Sequence, residues 1–157
     1  VDKIVSVTDD ETATAILTLM ENEKVVAEGA GAVSVAAMLF GKIPEKKSKV
    51  VCLVSGGNID VTILSRVIHR GLLTSGRISD LTIELLDKPG QLKEISAIIA
   101  DLGANVIKVN HEHGGQNMDI NGCTISLSME TRNHAHFDEI KEALRARNYH
   151  LLENHMY

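Results

Sequence analysis

The 157-residue chain carries 16 Lys and Arg against 21 Asp and Glu, a formal net charge of −5, with 44% hydrophobic and 3% aromatic residues. That balance describes a folded, mixed helix-and-strand polypeptide and excludes a disordered or fibrous one. With no overall basic field, neither nucleic acid nor an anionic lipid surface is expected as a partner. No run approaches the ~18 apolar residues that cross a bilayer. The opening VDKIVSVTDD lacks the layout of a secretory signal, so the expected location is the cytoplasm. The chain opens on Val1 rather than Met and reads as a processed product or a portion of something longer. Cys52 and Cys123 fall in separate predicted strands, which suits buried free thiols better than a disulfide or a zinc cluster.

Lys3 to Val7 is a short β-prone segment. Thr8 and Glu11 then have the T-x-x-E spacing of a capping box, and Ala13, Ile16, Leu17 and Met20 share one face of the helix that follows. A second helix is expected from Gly31 to Phe40, its Gly31, Ala32, Ala36 and Ala37 small enough for close packing, and Gly41 with Pro44 ends it. The lysine-rich stretch from Lys42 to Lys49 reads as a solvated connection. Val50 to Val54 is a continuous apolar run, the pattern of a strand covered on both faces. It breaks into Ser55-Gly56-Gly57-Asn58 before Ile59, Ile63, Leu64, Val67 and Ile68 at helical spacing, and His69-Arg70-Gly71 predicts the stop. A hydroxyl and free N–H groups at such a strand-to-helix turn suit ligand binding. Equally, Ser55 or Asn58 caps the helix and the glycines only make the turn.

After a division near Thr74-Ser75-Gly76 the periodicity changes. Leu81, Ile83 and Leu85 alternate with polar residues, as do Cys123, Ile125, Leu127 and Met129. Between them lie a helix bearing Leu92, Ile95, Ile98, Ile99 and Leu102, a strand from Asn105 to His111, and a loop with Gly114-Gly115 and Asn121-Gly122. A helix with Phe137, Ile140 and Leu144 and a strand near Tyr149 to Glu153 close the chain. The order βαββαβ is that of a ferredoxin-like sandwich. Asp87-Lys88-Pro89-Gly90 leads straight into a helix whose first N–H groups can hold a carboxylate; it is also what a plain strand-to-helix turn looks like. His111 and His113 share a side of their strand, but no Cys, Asp or third His stands at a metal-ligand spacing, so no metal is assigned. His134 and His136 are expected at the surface.

Two resemblances run in order along the chain. EGAGAVSVAAM followed by VVCLVSGGNID and LSRVI resembles the carboxyl-terminal part of threonine ammonia-lyases (threonine dehydratases) of the pyridoxal-phosphate fold type II family. That resemblance implies that residues 1–76 are the last βα elements of the catalytic domain, with Ser55 at the pyridine nitrogen of the cofactor and Glu28, Gly56, Gly57 and Asn58 beside it. A neutral hydroxyl there suits elimination of a β-hydroxyl. The family's cofactor lysine sits in an Asn-His-Lys-Gly-like setting, whereas Asn110-His111, Asn133-His134 and Asn154-His155 here are followed by Glu, Ala and Met. The chain alone is therefore expected to be inactive, with no catalytic residue of its own. LTIELLDKPGQLKEISAIIADLGANVIKVNHEH in turn resembles an ACT domain, the amino-acid-sensing module of many metabolic enzymes; its D-x-P-G-x-L pattern is matched by Asp87, Pro89, Gly90 and Leu92.

The ACT resemblance implies a regulatory domain over residues 77–157 that binds an amino-acid effector, isoleucine or valine, beside Asp87, Pro89, Gly90, Gln91 and Leu92, with Asn105, Val106 and Ile107 on the other side. It also implies a homo-oligomer, dimer or tetramer, built through these domains. The expected fold class is thus α/β plus α+β. The parent reaction would take L-threonine to 2-oxobutanoate and ammonia. An ACT-tailed serine dehydratase or racemase and a free-standing amino-acid sensor are the alternatives.

Overall fold

The computed structural model describes residues 1–43, 49–113 and 121–152. Within these the chain forms two units, Val1–Gly71 and Leu72–Tyr157. The expected connection at 44–48, the loop at 114–120, Glu153 and His155 lie outside the described residues.

In the first unit, Thr8 opens helix α1 (Asp9–Thr18) through the expected capping box. The Glu11 N–H donates to Thr8 Oγ1 at 3.2 Å, and the Thr8 N–H donates to Glu11 Oε2 at 2.8 Å. A single π-helical turn, Leu19–Glu23, follows. Helix α2 (Gly29–Leu39) presents Ala32 and Ala36 to Ala15, Ile16 and Leu19, and the short side chains bring the two helices close. Val54, Ile59, Leu64 and Val67 pack on the rim of this small core.

Two expectations fail here. Lys3–Val7 and Val50–Val54 form no strand, and among the described residues the one sheet belongs to the second unit. Val51 is 95% and Leu53 79% exposed, so the apolar run is not covered on both faces. Cys52, half-buried, is held from the α2 side, where the Ser34 hydroxyl donates to the Leu53 carbonyl at 2.8 Å and the Cys52 thiol approaches the Ser34 carbonyl at 3.6 Å. An apolar run states a preference for burial, but a strand exists only where a neighbour accepts and donates its lateral hydrogen bonds.

Helix α3 (Val61–Thr74) passes through Gly71, the expected stop, and turns at Gly76. Gly71 is there for packing: a Cβ at that position would collide with the Leu17 side chain. The boundary between the units falls within this helix.

The second unit is βαββαβ as expected: β1 (Ile78–Leu86), α4 (Gln91–Asp101), β2 (Asn105–His113), β3 (Gly122–Glu130), α5 (His134–Ala146) and β4 (His150–Leu152). All pairings are antiparallel and the sheet order is β2-β3-β1-β4. The period-two residues Leu81, Ile83, Ile125, Leu127 and Met129 face Ile95, Ile98 and Ile99 of α4 and Ile140 and Leu144 of α5, closing a core in which nearly every member is fully buried. Burying each such side chain contributes about 1.5–3 kcal/mol. His136, expected at the surface, is only 3% exposed. Its Nδ1 accepts the Arg132 N–H at 3.1 Å and its Nε2 donates to the Leu102 carbonyl at 2.9 Å, which fixes the neutral tautomer carrying its proton on Nε2.

Candidate functional site

The first motif pair comes together through glycine. The Glu28 N–H donates to the Gly56 carbonyl at 3.1 Å. Gly56 has φ +72°, and a Cβ on it would run into the Glu28 carboxylate; a Cβ on Gly31 would overlap the Ser55 carbonyl oxygen. Gly31 therefore lets α2 lie directly on the Ser55 backbone, while Gly56 makes the turn no L side chain adopts readily. The helix cap is neither Ser55 nor Asn58. Asp60 Oδ1 accepts the N–H groups of Thr62, at 2.7 Å, and of Ile63, at 3.3 Å. Hydrogen bonds from the Thr62 hydroxyl, then from these backbone groups, hold the Asp60 carboxyl below the usual aspartate range. Capping is thus done elsewhere, and Ser55, Gly56, Gly57 and Asn58 lie exposed beside half-buried Glu28, with the Ser55 hydroxyl unengaged among the described residues.

The second motif forms a true pocket. Leu85, Asp87, Lys88, Pro89, Gly90, Gln91, Leu92, His111, Cys123 and Ile125 enclose about 360 Å³, at the small end of the ~300–1,000 Å³ typical of small-ligand sites. Gly90, at φ +97°, is the residue before α4; no side chain caps this helix, and with the Gln91 N–H turned to the Lys88 carbonyl at 3.4 Å and that of Glu94 to the Gly90 carbonyl, the N–H groups of Leu92 and Lys93 are left for an anion. A Cβ on Gly90 would meet nothing within 4 Å.

Asn105, Val106 and Ile107 do not join this pocket within one chain. Asn105 pairs with Glu130, at the far end of β3 from Cys123. The β2 residue that does line the pocket is His111, and a bulge puts it there. Register slips between Val106 and Lys108, so that Val106 opposes Met129 but Val109 opposes Leu127, His111 opposes Ile125 and His113 opposes Cys123. One extra residue reverses the facing of everything after it. Without it, His111 and His113 would lie on the face away from the helices; with it, they join Cys123 and Leu85, which is Cys123's partner on β1. His113 Nε2 lies 3.0 Å from Asp87 Oδ2, and the His111 and His113 rings lie against each other, tilted by 36° with centroids 4.3 Å apart. Burial pushes the Cys123 thiol up, and the Asp87 charge adds to it, which favours the protonated sulfur.

The ACT domain family model matches residues 75–149, spanning every strand but the last. Residues 75–149 are an ACT domain. The chain containing this ACT domain is 46% identical over 149 residues to an L-threonine ammonia-lyase of Thermotoga maritima and 38% identical over 149 residues to one of Geobacter sulfurreducens, 95% of the chain in both cases. It is thus similar to the carboxyl-terminal portion of those enzymes and spans 37% of their length. Among solved structures, the ACT domain of the Chlorobium tepidum GTP pyrophosphokinase covers 48% of the chain at 16% identity with a TM-score of 0.37. Among the described residues no helix is long and apolar enough to cross a membrane.

Proposed function

We propose that the chain is the carboxyl-terminal, effector-sensing portion of a pyridoxal-phosphate-dependent threonine ammonia-lyase, which converts L-threonine to 2-oxobutanoate and ammonia. The observation that carries this is the similarity to such enzymes across both units, with each unit presenting the motif that the reading requires. The residues of the first unit fit one edge of the cofactor. Ser55 offers an unengaged hydroxyl, its backbone closely covered by Gly31, and Glu28 lies against Gly56. When bound, pyridoxal phosphate supplies the electron sink for eliminating the β-hydroxyl. Ser55 would hold the ring nitrogen by one hydrogen bond without charging it, and Gly57 and Asn58 would border the ring. Exposed Val51 and Leu53 are the surface on which further strands of a parent catalytic domain would lie.

The second unit would read out an amino acid, with isoleucine and valine as the effectors of choice. An effector carboxylate would sit on the N–H groups at the start of α4, and its aliphatic side chain on Leu85, Leu92 and Ile125. The β2 strand lies at the sheet edge with Ile107 and Val109 about half exposed, which supports assembly of two or four chains through these domains. Regulation would follow if the effector binds one arrangement of the chains better than another. Calorimetry of the full chain with isoleucine, valine, threonine and serine tests this. Saturable heat for a branched-chain amino acid, lost in Gly90→Phe, is expected; no heat from any of the four with the chain folded would overturn it.

A further inference from the structure

The thiol of Cys123 has no part in the function proposed above, yet it lies in the lining of the effector pocket with two other donors. The ligand atoms of Asp87, His111 and Cys123 all fall within 4.8 Å of one another. We propose that this pocket is also a binding site for a zinc-class divalent cation, held by the Asp87 carboxylate, the His111 imidazole and the Cys123 thiolate.

The donor set argues for the class of ion. One sulfur, one nitrogen and one oxygen suit a borderline cation such as Zn²⁺, and are too soft for Mg²⁺ or Ca²⁺. Bond lengths of about 2.0–2.3 Å in a tetrahedral site put donor atoms about 3.4–3.7 Å apart. Closing from the observed spread asks for movement of about 1 Å, which the exposed Asp87 and His111 side chains can make by rotating while buried Cys123 stays in place. His113 supplies what a coordinating carboxylate needs from outside the metal: it bonds Oδ2 of Asp87 at 3.0 Å, leaving Oδ1 for the cation. Binding releases the Cys123 proton to solvent as the sulfur–metal bond forms. Three protein donors leave a fourth position open toward the pocket. None of this depends on whether the pocket takes an amino acid. The β2 bulge is the structural reason the site exists, since it alone brings His111 to the Cys123 side of the sheet.

Cobalt(II) is the probe, titrated into the reduced full chain without oxygen. Saturation at one ion per chain with a near-ultraviolet thiolate-to-cobalt charge-transfer band, displaced by Zn²⁺, is the expected result. Cys123→Ser should abolish the band and Cys52→Ser should leave it intact. His111→Gln, at an exposed position that cannot unfold the core, should weaken cobalt binding by at least about tenfold, the scale on which even outer partners of a metal count. No band in the folded chain, a band that survives Cys123→Ser or follows Cys52, or an affinity unchanged in His111→Gln would each overturn the proposal.

Discussion

The two units of this chain handle apolar surface in opposite ways. In the ACT unit, Leu81, Ile83, Ile125, Leu127 and Met129 of β1 and β3 share one core with residues of α4 and α5, and Ile83, Ile125 and Met129 are at most 1% exposed. In the first unit a core of alanines with Ile16 and Leu19 is closed by α1 and α2, while the most strand-like run of the whole sequence lies open to solvent on one side. The difference is one of hydrogen-bond supply. The ACT unit carries four strands that pair with one another, whereas among the described residues Val50–Val54 pairs with no strand and is held by a side-chain bond from Ser34 of α2.

The contrast yields an ordered set of substitutions. Ile125→Ala removes side-chain bulk from a core closed on all sides and should cost about 2–5 kcal/mol in a urea melt of the ACT unit. A cost under about 1 kcal/mol would mean the core can collapse, and the contrast would weaken. Gly31→Ala forces α2 off the Ser55 carbonyl, so it should destabilise the first unit by about 1–3 kcal/mol, read by thermal melting. Thr8→Ala deletes half of the α1 capping box and should cost about 1 kcal/mol in the same assay.

Acid should act through the same cap. The Lys42 ammonium at 2.9 Å, followed by the Thr8 N–H, holds the Glu11 carboxyl below the usual glutamate range. A carboxyl with a folded pKa below its unfolded one stabilises the fold above the unfolded value, and that contribution fades as pH falls through the folded value. Helicity of the wild-type chain should therefore drop more steeply on acidification below the ordinary glutamate pKa than that of Glu11→Gln, as followed by far-ultraviolet circular dichroism. The smallest effect is expected at Leu53→Lys, within about 0.5 kcal/mol of wild type because the side chain is already 79% exposed. A loss of several kcal/mol there would show that the open face is covered after all.

Local signals carried the start of α1 and the order of elements in the second unit. The Thr8–Glu11 box needs only residues within one turn, and α1 begins where it predicts. The alternation of Leu81, Ile83 and Leu85 and of Cys123 to Met129 decides which face is buried whatever the partner is, and the βαββαβ order followed from it. Where the determinant is remote, the same reasoning misleads. Gly71 looks like a helix stop, but its meaning is a contact with Leu17 more than fifty positions earlier. Asp60, not the more conspicuous Ser55 or Asn58, caps α3.

The amino-acid sequence by itself determined the two-part organisation and the turn at Asp87–Gly90, because each depends on backbone conformation or periodicity within a few residues. Only the tertiary structure decided that His111, Cys123 and Asp87 share one pocket while Asn105, Val106 and Ile107 stand away from it. The reason is the single extra residue in β2: a strand's facing has period two, so an irregularity set by its pairing with β3 reverses every side chain beyond it.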